Sequence, residues 1–465
     1  MRSRVVVVVV AAGLIVLAPL PAGRAYAAGG EQLWVSRYVG TERGPDSVAK
    51  MVVSPDGSRV FVTGQSYENN FGLAAVTLAY DAATGTELWR ALFHISCCGY
   101  NIPGDMVVSP DGSRLYIAAS SYPTSYIGDL LLLVYDTSTG ALVWKREVGD
   151  GVNQFFGVAV GMSPDGSTVF VSGDAVPHGA TEDIITIAYD TTTGDQRWTR
   201  ILDGVAHGDD SASDLAVSDD GARVYVCGLT EAPDGTHDWI VASYDAKTGH
   251  RGWQQQIDGP GHGEDFPSAI SVRPGGEQVY VVGELATVDA ETGALLALDA
   301  SSGSSVWRRS IGGTAGEPGW VNAVVSSPDG NVVYATGYAP GPLSFSEATT
   351  AAYVAATGEN VWGSRFAGPR SFGGVGSGLA VSPDGTSLFV AGVAYRDGGN
   401  DDYLTLAYTA ATGERAWASR YNGPRGWLDE AYLVAVSPDA TRVFVSGASK
   451  GINTDYDYAT VAYDA

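Results

Sequence analysis

The densest chemistry in this chain lies in four short segments that share one pattern: Arg43-Gly-Pro-Asp46, Cys98-Gly-Tyr-Asn101, His207-Gly-Asp-Asp210 and His262-Gly-Glu-Asp265. Asp429 fills the last position in a fifth copy, and Phe155, Gly319 and Gly374 fill it in three others. If these segments descend toward a common axis, Asp46, Asn101, Asp210, Asp265 and Asp429 make a broken ring of oxygen donors. Such a funnel suits a cation or a hydroxyl-rich ligand. The competing expectation is that each Asp caps backbone amides of its own loop, the ordinary work of Asp and Asn in turns.

His207 and His262 sit in adjacent copies, with His178 and His237 in the neighbouring loops, so four of the six His fall in one sector. Imidazoles gathered this way suggest a metal, although no His-Glu-x-x-His spacing is present to name one. The acidic run Asp397-Gly-Gly-Asn-Asp401-Asp402 offers oxygens for Ca²⁺ without the spacing of an EF-hand. Cys97 and Cys98 are adjacent and form a candidate disulfide if the compartment is oxidising, while Cys227 lies inside an apolar run and reads as a buried thiol. Trp320 and Trp427, with Trp239, stand outside the regular Trp series described next; they are either ligand contacts or spacers between packed units. No Gly-x-Ser-x-Gly elbow, Cys-x-x-Cys pair or phosphate-cradling loop occurs.

The elements that must position these residues repeat eight times. Trp34, Trp89, Trp144, Trp198, Trp253, Trp307, Trp362 and Trp417 mark a period of about 55 residues, and between them recurs the turn Ser54-Pro-Asp-Gly57 with its counterparts at Ser109, Ser163, Ser218, Arg273, Ser327, Ser382 and Ser437. One copy reads as four strands. Leu379–Ser382 turns through Pro383-Asp384-Gly385 into Ser387–Ala391; a loop leads to Asp402–Tyr408; Ala411-Thr-Gly413 turns into Arg415–Tyr421. The expected fold is all-β, an eight-bladed β-propeller of four-stranded antiparallel blades. The chain opens with a lone fourth strand, Gln32–Tyr38, and ends on a third, Asp457–Tyr463, so pairing of the N-terminal and C-terminal strands should close the ring. One domain is expected over residues 28–465.

Residues 1–27 read as a signal peptide: Arg2 and Arg4 precede an apolar run from Val5 to Leu20, and Ala25-Tyr-Ala27 offers a cleavage site. The expected location is secreted or extracytoplasmic, with no second stretch long enough to span a membrane. The net charge of -25 becomes -28 once Arg2, Arg4 and Arg24 leave with the signal. That balance excludes nucleic acid as an expected partner.

The segments Tyr135-Asp-Thr-Ser-Thr-Gly-Ala-Leu-Val-Trp144 and Leu298-Asp-Ala-Ser-Ser-Gly-Ser-Ser-Val-Trp307 resemble the docking motif of quinoprotein alcohol dehydrogenases, eight-bladed propellers that carry pyrroloquinoline quinone (PQQ). Asp402–Tyr421 is equally similar to secreted bacterial β-propeller repeat proteins. The shared residues are those that build blades. The first resemblance implies a PQQ cofactor with Ca²⁺, and a Cys97–Cys98 disulfide like the vicinal one of quinoprotein methanol dehydrogenases. Here Gly99-Tyr100-Asn101 follows the pair in place of that family's sequence. The leading expectation is a secreted, monomeric, non-enzymatic scaffold whose variable loop face binds a protein, a glycan or a small ligand. A quinoprotein dehydrogenase is the alternative, and a metal-dependent hydrolase or lyase at the channel mouth is a third.

Overall fold

The computed structural model describes residues 29–465 apart from 42–43, 69–71, 95–98, 125–126, 178–180, 289–290, 312–318, 342–345, 369–371, 397 and 453. Among the described residues there are 32 strands and no helix, arranged as eight four-stranded antiparallel blades. A single parallel bridge, Leu73 to Tyr100, also ties blade 1 to blade 2.

Blade 7 shows how the sequence builds the unit. Its inner strand Gly374–Val381, second strand Ser387–Ala394, third strand Asp402–Thr409 and outer strand Arg415–Tyr421 pair in chain order. Second and third strands are continuous apolar runs because neighbouring blades cover both their faces, whereas the outer strand alternates toward solvent. The Ser382-Pro-Asp-Gly385 turn is held from inside. Ser382 Oγ donates to Asp384 Oδ1 at 2.5 Å and accepts from Ser387 N at 2.9 Å, while Gly385 takes φ +71°. The inner strand starts five residues before its apolar run. Its first part, Gly374-Val-Gly-Ser-Gly378, carries a β-bulge between Gly376 and Gly378 and has no alternating signature.

Hydrophobic side chains fill wedges between blades. One wedge joins Tyr334 and Trp362 of blade 6 to Leu388, Val390, Leu404, Leu406 and Tyr408 of blade 7. Each wedge is pinned by the periodic Trp. Trp253 lies flat against Gly303 in the Ser-Gly turn of the next blade, where a Cβ would come within 2.6 Å of the indole Cδ2, and its Nε1 donates to Ala300 O at 2.9 Å. The same indole-to-carbonyl bond recurs from Trp34 to Ala82, Trp89 to Thr137, Trp198 to Ala246, Trp307 to Ala355 and Trp362 to Ala410. Beside Trp144, Arg146 takes over, its Nε donating to Gly194 O at 2.6 Å and its guanidinium lying 5.2 Å from the Trp144 ring centroid.

The ring closes without a covalent link. Gln32–Tyr38 pairs antiparallel with Tyr456–Asp464, placing Trp34 beside Ala462 and Tyr38 beside Tyr458. Even the missing turn is rebuilt from two ends of chain: Gly30 N donates to Asp464 O at 2.8 Å and Asp464 N to Glu31 O at 3.0 Å, the bonds that Gly413 and Thr409 make within the intact turn of blade 7. Gly29 and Gly30 then supply the surface against which Trp417 packs.

Two predictions follow from this geometry. Removing residues 29–38 exposes the edge of the last blade and strips Trp417 of its seat, so the protein should lose its cooperative melt or self-associate. An unchanged melting temperature and a monomeric mass by light scattering would refute closure by this strand. Gly303→Ala should cost well over the roughly 1–2 kcal/mol of a left-handed non-glycine residue, because it also displaces Trp253. Gly235→Ala, at φ +85° with no atom within 4 Å of its Cβ, should cost only that strain. Denaturant midpoints of the two variants compare them directly.

Candidate functional site

Hydrogen bonds separate the two faces. Turns touch turns, as in Ala246 N to Ala222 O, and loops touch loops, as in Asp210 N to Glu182 O and Asp265 N to His237 O. The candidate column lies on the loop face, at the start of the inner strands. Asp46, Asn101, Asp210, Asp265 and Asp429 are all buried. The four carboxylates repeat one latch: Oδ2 accepts the amide of a glycine six residues earlier, from Gly40 to Asp46 at 2.8 Å and from Gly204, Gly259 and Gly423 to Asp210, Asp265 and Asp429 at 2.6 Å. At each of these glycines a Cβ would lie 2.5–2.9 Å from the same carboxylate's Oδ1. Asp429 Oδ1 is also held, by Ser449 Oγ at 2.5 Å and Lys450 N at 3.2 Å. Asn101 Nδ2 donates to Leu73 O at 3.4 Å. The column therefore cinches inter-blade loops, as the capping expectation has it. Burial pushes the carboxyls of Asp46 and Asp265 up to about 6, and those of Asp210 and Asp429 upward as well.

His207 and His262 do not converge on an ion. Each is exposed with positive φ, and Nδ1 pairs with an Asp four residues earlier: His207 with Asp203 at 2.7 Å, His262 with Asp258 at 2.5 Å. These hydrogen bonds raise both imidazole pKa values. His237 Nδ1 pairs with Glu264 at 2.7 Å. His178, Cys97 and Cys98 lie outside the described residues, and Cys227 is a buried free thiol. Among the three additional Trp, Trp239 is wholly buried and donates to Glu284 O in the next blade, a spacer. Trp320 stacks on Phe266 at 5.9 Å and donates to Ser268 Oγ at 2.7 Å, also between blades. Trp427 alone is open, 52% exposed with Arg425 over its ring.

A polar cluster that sequence reading passed over sits on the axis. The inner strands contact one another around the ring. Three of them place a charge at the residue after the bulge: Lys50, Asp105 and Asp214. Lys50 Nζ meets Asp105 Oδ1 at 2.8 Å, and Asp214 accepts Ile270 N at 3.0 Å and Leu215 N at 2.8 Å. Burial pushes Asp214 up to about 6, while the Asp105 charge raises Lys50. All three stand four residues before the Ser of the turn motif, so alignment on that turn would have revealed them.

PQQ finds a poor fit in these groups. The indoles of Trp239 and Trp320 are committed between blades, to Glu284 O and to Phe266 with Ser268, so neither is free to stack on a quinone ring.

Known structures of similar shape are diverse. The Dos1 propeller superposes with a TM-score of 0.57 at 12% identity, covering 93% of this chain and 95% of that one. Quinohemoprotein alcohol dehydrogenase from Comamonas testosteroni gives 0.56 at 14%, covering 93% and 76%. Chaetomium thermophilum Sqt1 bound to the N-terminus of ribosomal protein L10 gives 0.56 at 12%, covering 92% and 99%. At such identities the likeness establishes the fold alone. No curated protein matches the sequence. The family described as outer membrane protein assembly factor BamB matches residues 73–336, more than half of the sequence, and the repeat of blades seen here is what that match covers. The chain thus belongs to the BamB family of PQQ-like repeat β-propellers.

Proposed function

We propose that this protein is an exported, non-catalytic scaffold whose loop face binds a protein partner. The observation that carries this reading is how exposed apolar side chains are distributed. Val152, Val205, Val288, Phe372, Trp427 and Ile452 stand exposed at loop tips around one face; the exposed Leu33, Leu88, Leu142, Val143, Val306 and Val361 lie instead on outer strands beside the periodic Trp residues, at the rim of the blades. Single exposed apolar groups are ordinary, but six at the loop tips of one face of a symmetric scaffold mark a contact surface. Asp150, Asp203 and Asp209 lie in the same loops as Val152 and Val205, and the whole chain carries -25, so the partner surface should be basic and apolar. Sqt1, a propeller of similar shape, is bound to the N-terminal segment of another protein, which is the mode of binding proposed here. Export rests on the leader-like residues 1–27.

Photoreactive residues placed at 427 and 452 on the loop face, and at 384 and 439 on the turn face, test this. A specific partner should cross-link from the first pair only. The variant Trp427→Ala with Ile452→Ala should weaken that partner by about tenfold or more, and its stability should stay within about 0.5 kcal/mol of the parent. Equal labelling from both faces would overturn the reading. So would robust dye reduction with alcohols or sugars on addition of PQQ and Ca²⁺.

A further inference from the structure

The third strand of most blades begins with an acidic residue directed at the loop face, and only some blades bring an arginine to it. In blades 6, 7 and 8 an Arg three residues after the periodic Trp does so: Arg365 reaches Glu347 at 3.7 Å, Arg420 reaches Asp402 at 3.4 Å, and Arg37 reaches Asp457 at 2.8 Å. In blades 3 and 4 the equivalent residues are Ile201 and Gln256, which bring no charge. There the acid instead meets two further carboxylates. Asp183, Asp203 and Asp210 form one triplet, and Asp238, Asp258 and Asp265 repeat it one blade later.

Each triplet contains a buried carboxylate oxygen without a donor, although Asp265 is held at both oxygens, Oδ2 by Gly259 N and Oδ1 by Ala286 N, each at 2.6 Å. Asp203 Oδ2 is fixed by His207, and its buried Oδ1 has no partner. Asp210 is wholly buried; Oδ2 takes the Gly204 amide and Oδ1 has no partner. Asp238 is 5% exposed; Oδ2 takes Gln256 Nε2 at 2.8 Å and Oδ1 has no partner. Asp258 is oriented by His262 as Asp203 is by His207. Anchoring one oxygen and freeing the other is how outer groups aim ligating carboxylates at a metal. One oxygen from each member lies within 4.8 Å of the others, a span that fits around a cation with oxygen distances of about 2.3–2.6 Å. The donors are all hard oxygens with a formal charge of three, and neither imidazole belongs to a triplet.

We propose that the two triplets are Ca²⁺ sites, at the junctions of blades 3 with 4 and 4 with 5, where the cation replaces the arginine used elsewhere in the ring. Mg²⁺ is disfavoured because it demands a tighter octahedron, at about 2.0–2.1 Å, than these strand-anchored groups offer.

The experiment is calorimetric titration of the full-length mature protein with CaCl₂ at pH 7.5, after chelator treatment and exchange, with MgCl₂ as the comparison. About two Ca²⁺ should bind per chain, with a rise in melting temperature. Asp203→Asn should bind about one, and Asp203→Asn with Asp258→Asn none. These side chains are partly exposed and the changes nearly isosteric, so the ring should stay folded; circular dichroism checks it, and Asp183→Asn offers a second route to the first site. Absence of Ca²⁺ binding, binding unchanged in the double variant, or tighter Mg²⁺ than Ca²⁺ would overturn the assignment. If protons neutralise the triplets instead, the double variant will melt higher than the parent with no response to Ca²⁺, which also overturns it.

Discussion

The indole that lies on a glycine of the next blade is the contact on which the rest of this ring depends. A four-stranded blade exposes two apolar faces and buries neither by itself, so each blade's stability is its interface with the next. The Trp sets that interface in three ways at once. It fills the wedge beside an aromatic of its own blade, such as Tyr225 with Trp253; it requires a residue without a Cβ opposite; and it fixes the offset between blades by donating to one backbone carbonyl. The left-handed φ that closes the turn and the missing Cβ that admits the indole are demands met by the same glycine. That double use explains why Thr-Gly or Ser-Gly survives in intact turns while neighbouring positions drift, and why Gly29 and Gly30 must substitute where the turn is split between the ends.

Once blades are fixed at that spacing, the loop face carries a problem the turn face does not. Its connections are longer, they bury backbone amides at each junction, and third strands deliver carboxylates there. The Gly-x₅-Asp latch solves the first problem with a buried acceptor in four junctions. The second is solved unevenly. Arginines meet the acids of blades 6 to 8, whereas blades 3 and 4 concentrate carboxylates without one, which is why burial and the charges of Asp203 and Asp210 together raise Asp183 to about 6. The imbalance is a property of position: the same strand positions meet a guanidinium where an arginine stands three residues after the Trp, and further carboxylates where it does not.

Fold was legible in the sequence because its signals are periodic. The Trp spacing, the Pro-Asp-Gly turns and the lone first strand predicted blade number, strand order and closure, and those features appear in the pairing of Gln32–Tyr38 with Tyr456–Asp464. Inner-strand starts such as Gly374–Gly378 were not legible, since bulged glycine-rich segments have no alternation to detect. The site was legible only as a column. Aligned loops brought out Asp46, Asn101, Asp210, Asp265 and Asp429, but side-chain direction decides between a funnel and a latch, and the glycine six residues upstream was the unread clue. Lys50, Asp105 and Asp214 were missed because a charge in an apolar strand looks like noise until the strands are stacked on their shared turn.

A repeat protein thereby inverts the usual search for a site. What recurs in blade after blade, the Trp, the turn Asp and the latch Asp, answers to construction, since every blade must solve the same packing problem. What breaks the repeat answers to something local. Lys50 facing Asp105, the paired triplets without arginine and the open indole of Trp427 are three such breaks, each on the axis or the loop face and none on the turn face. The turn face breaks the repeat as well, with Arg273 in place of Ser and Ala440 in place of Gly, but there the new residue still closes the turn: Arg273 N takes Gln278 O and Ala440 N takes Ser437 O. Departures that no turn explains, on the axis and the loop face, are therefore the physical ground for proposing this ring as a binding platform.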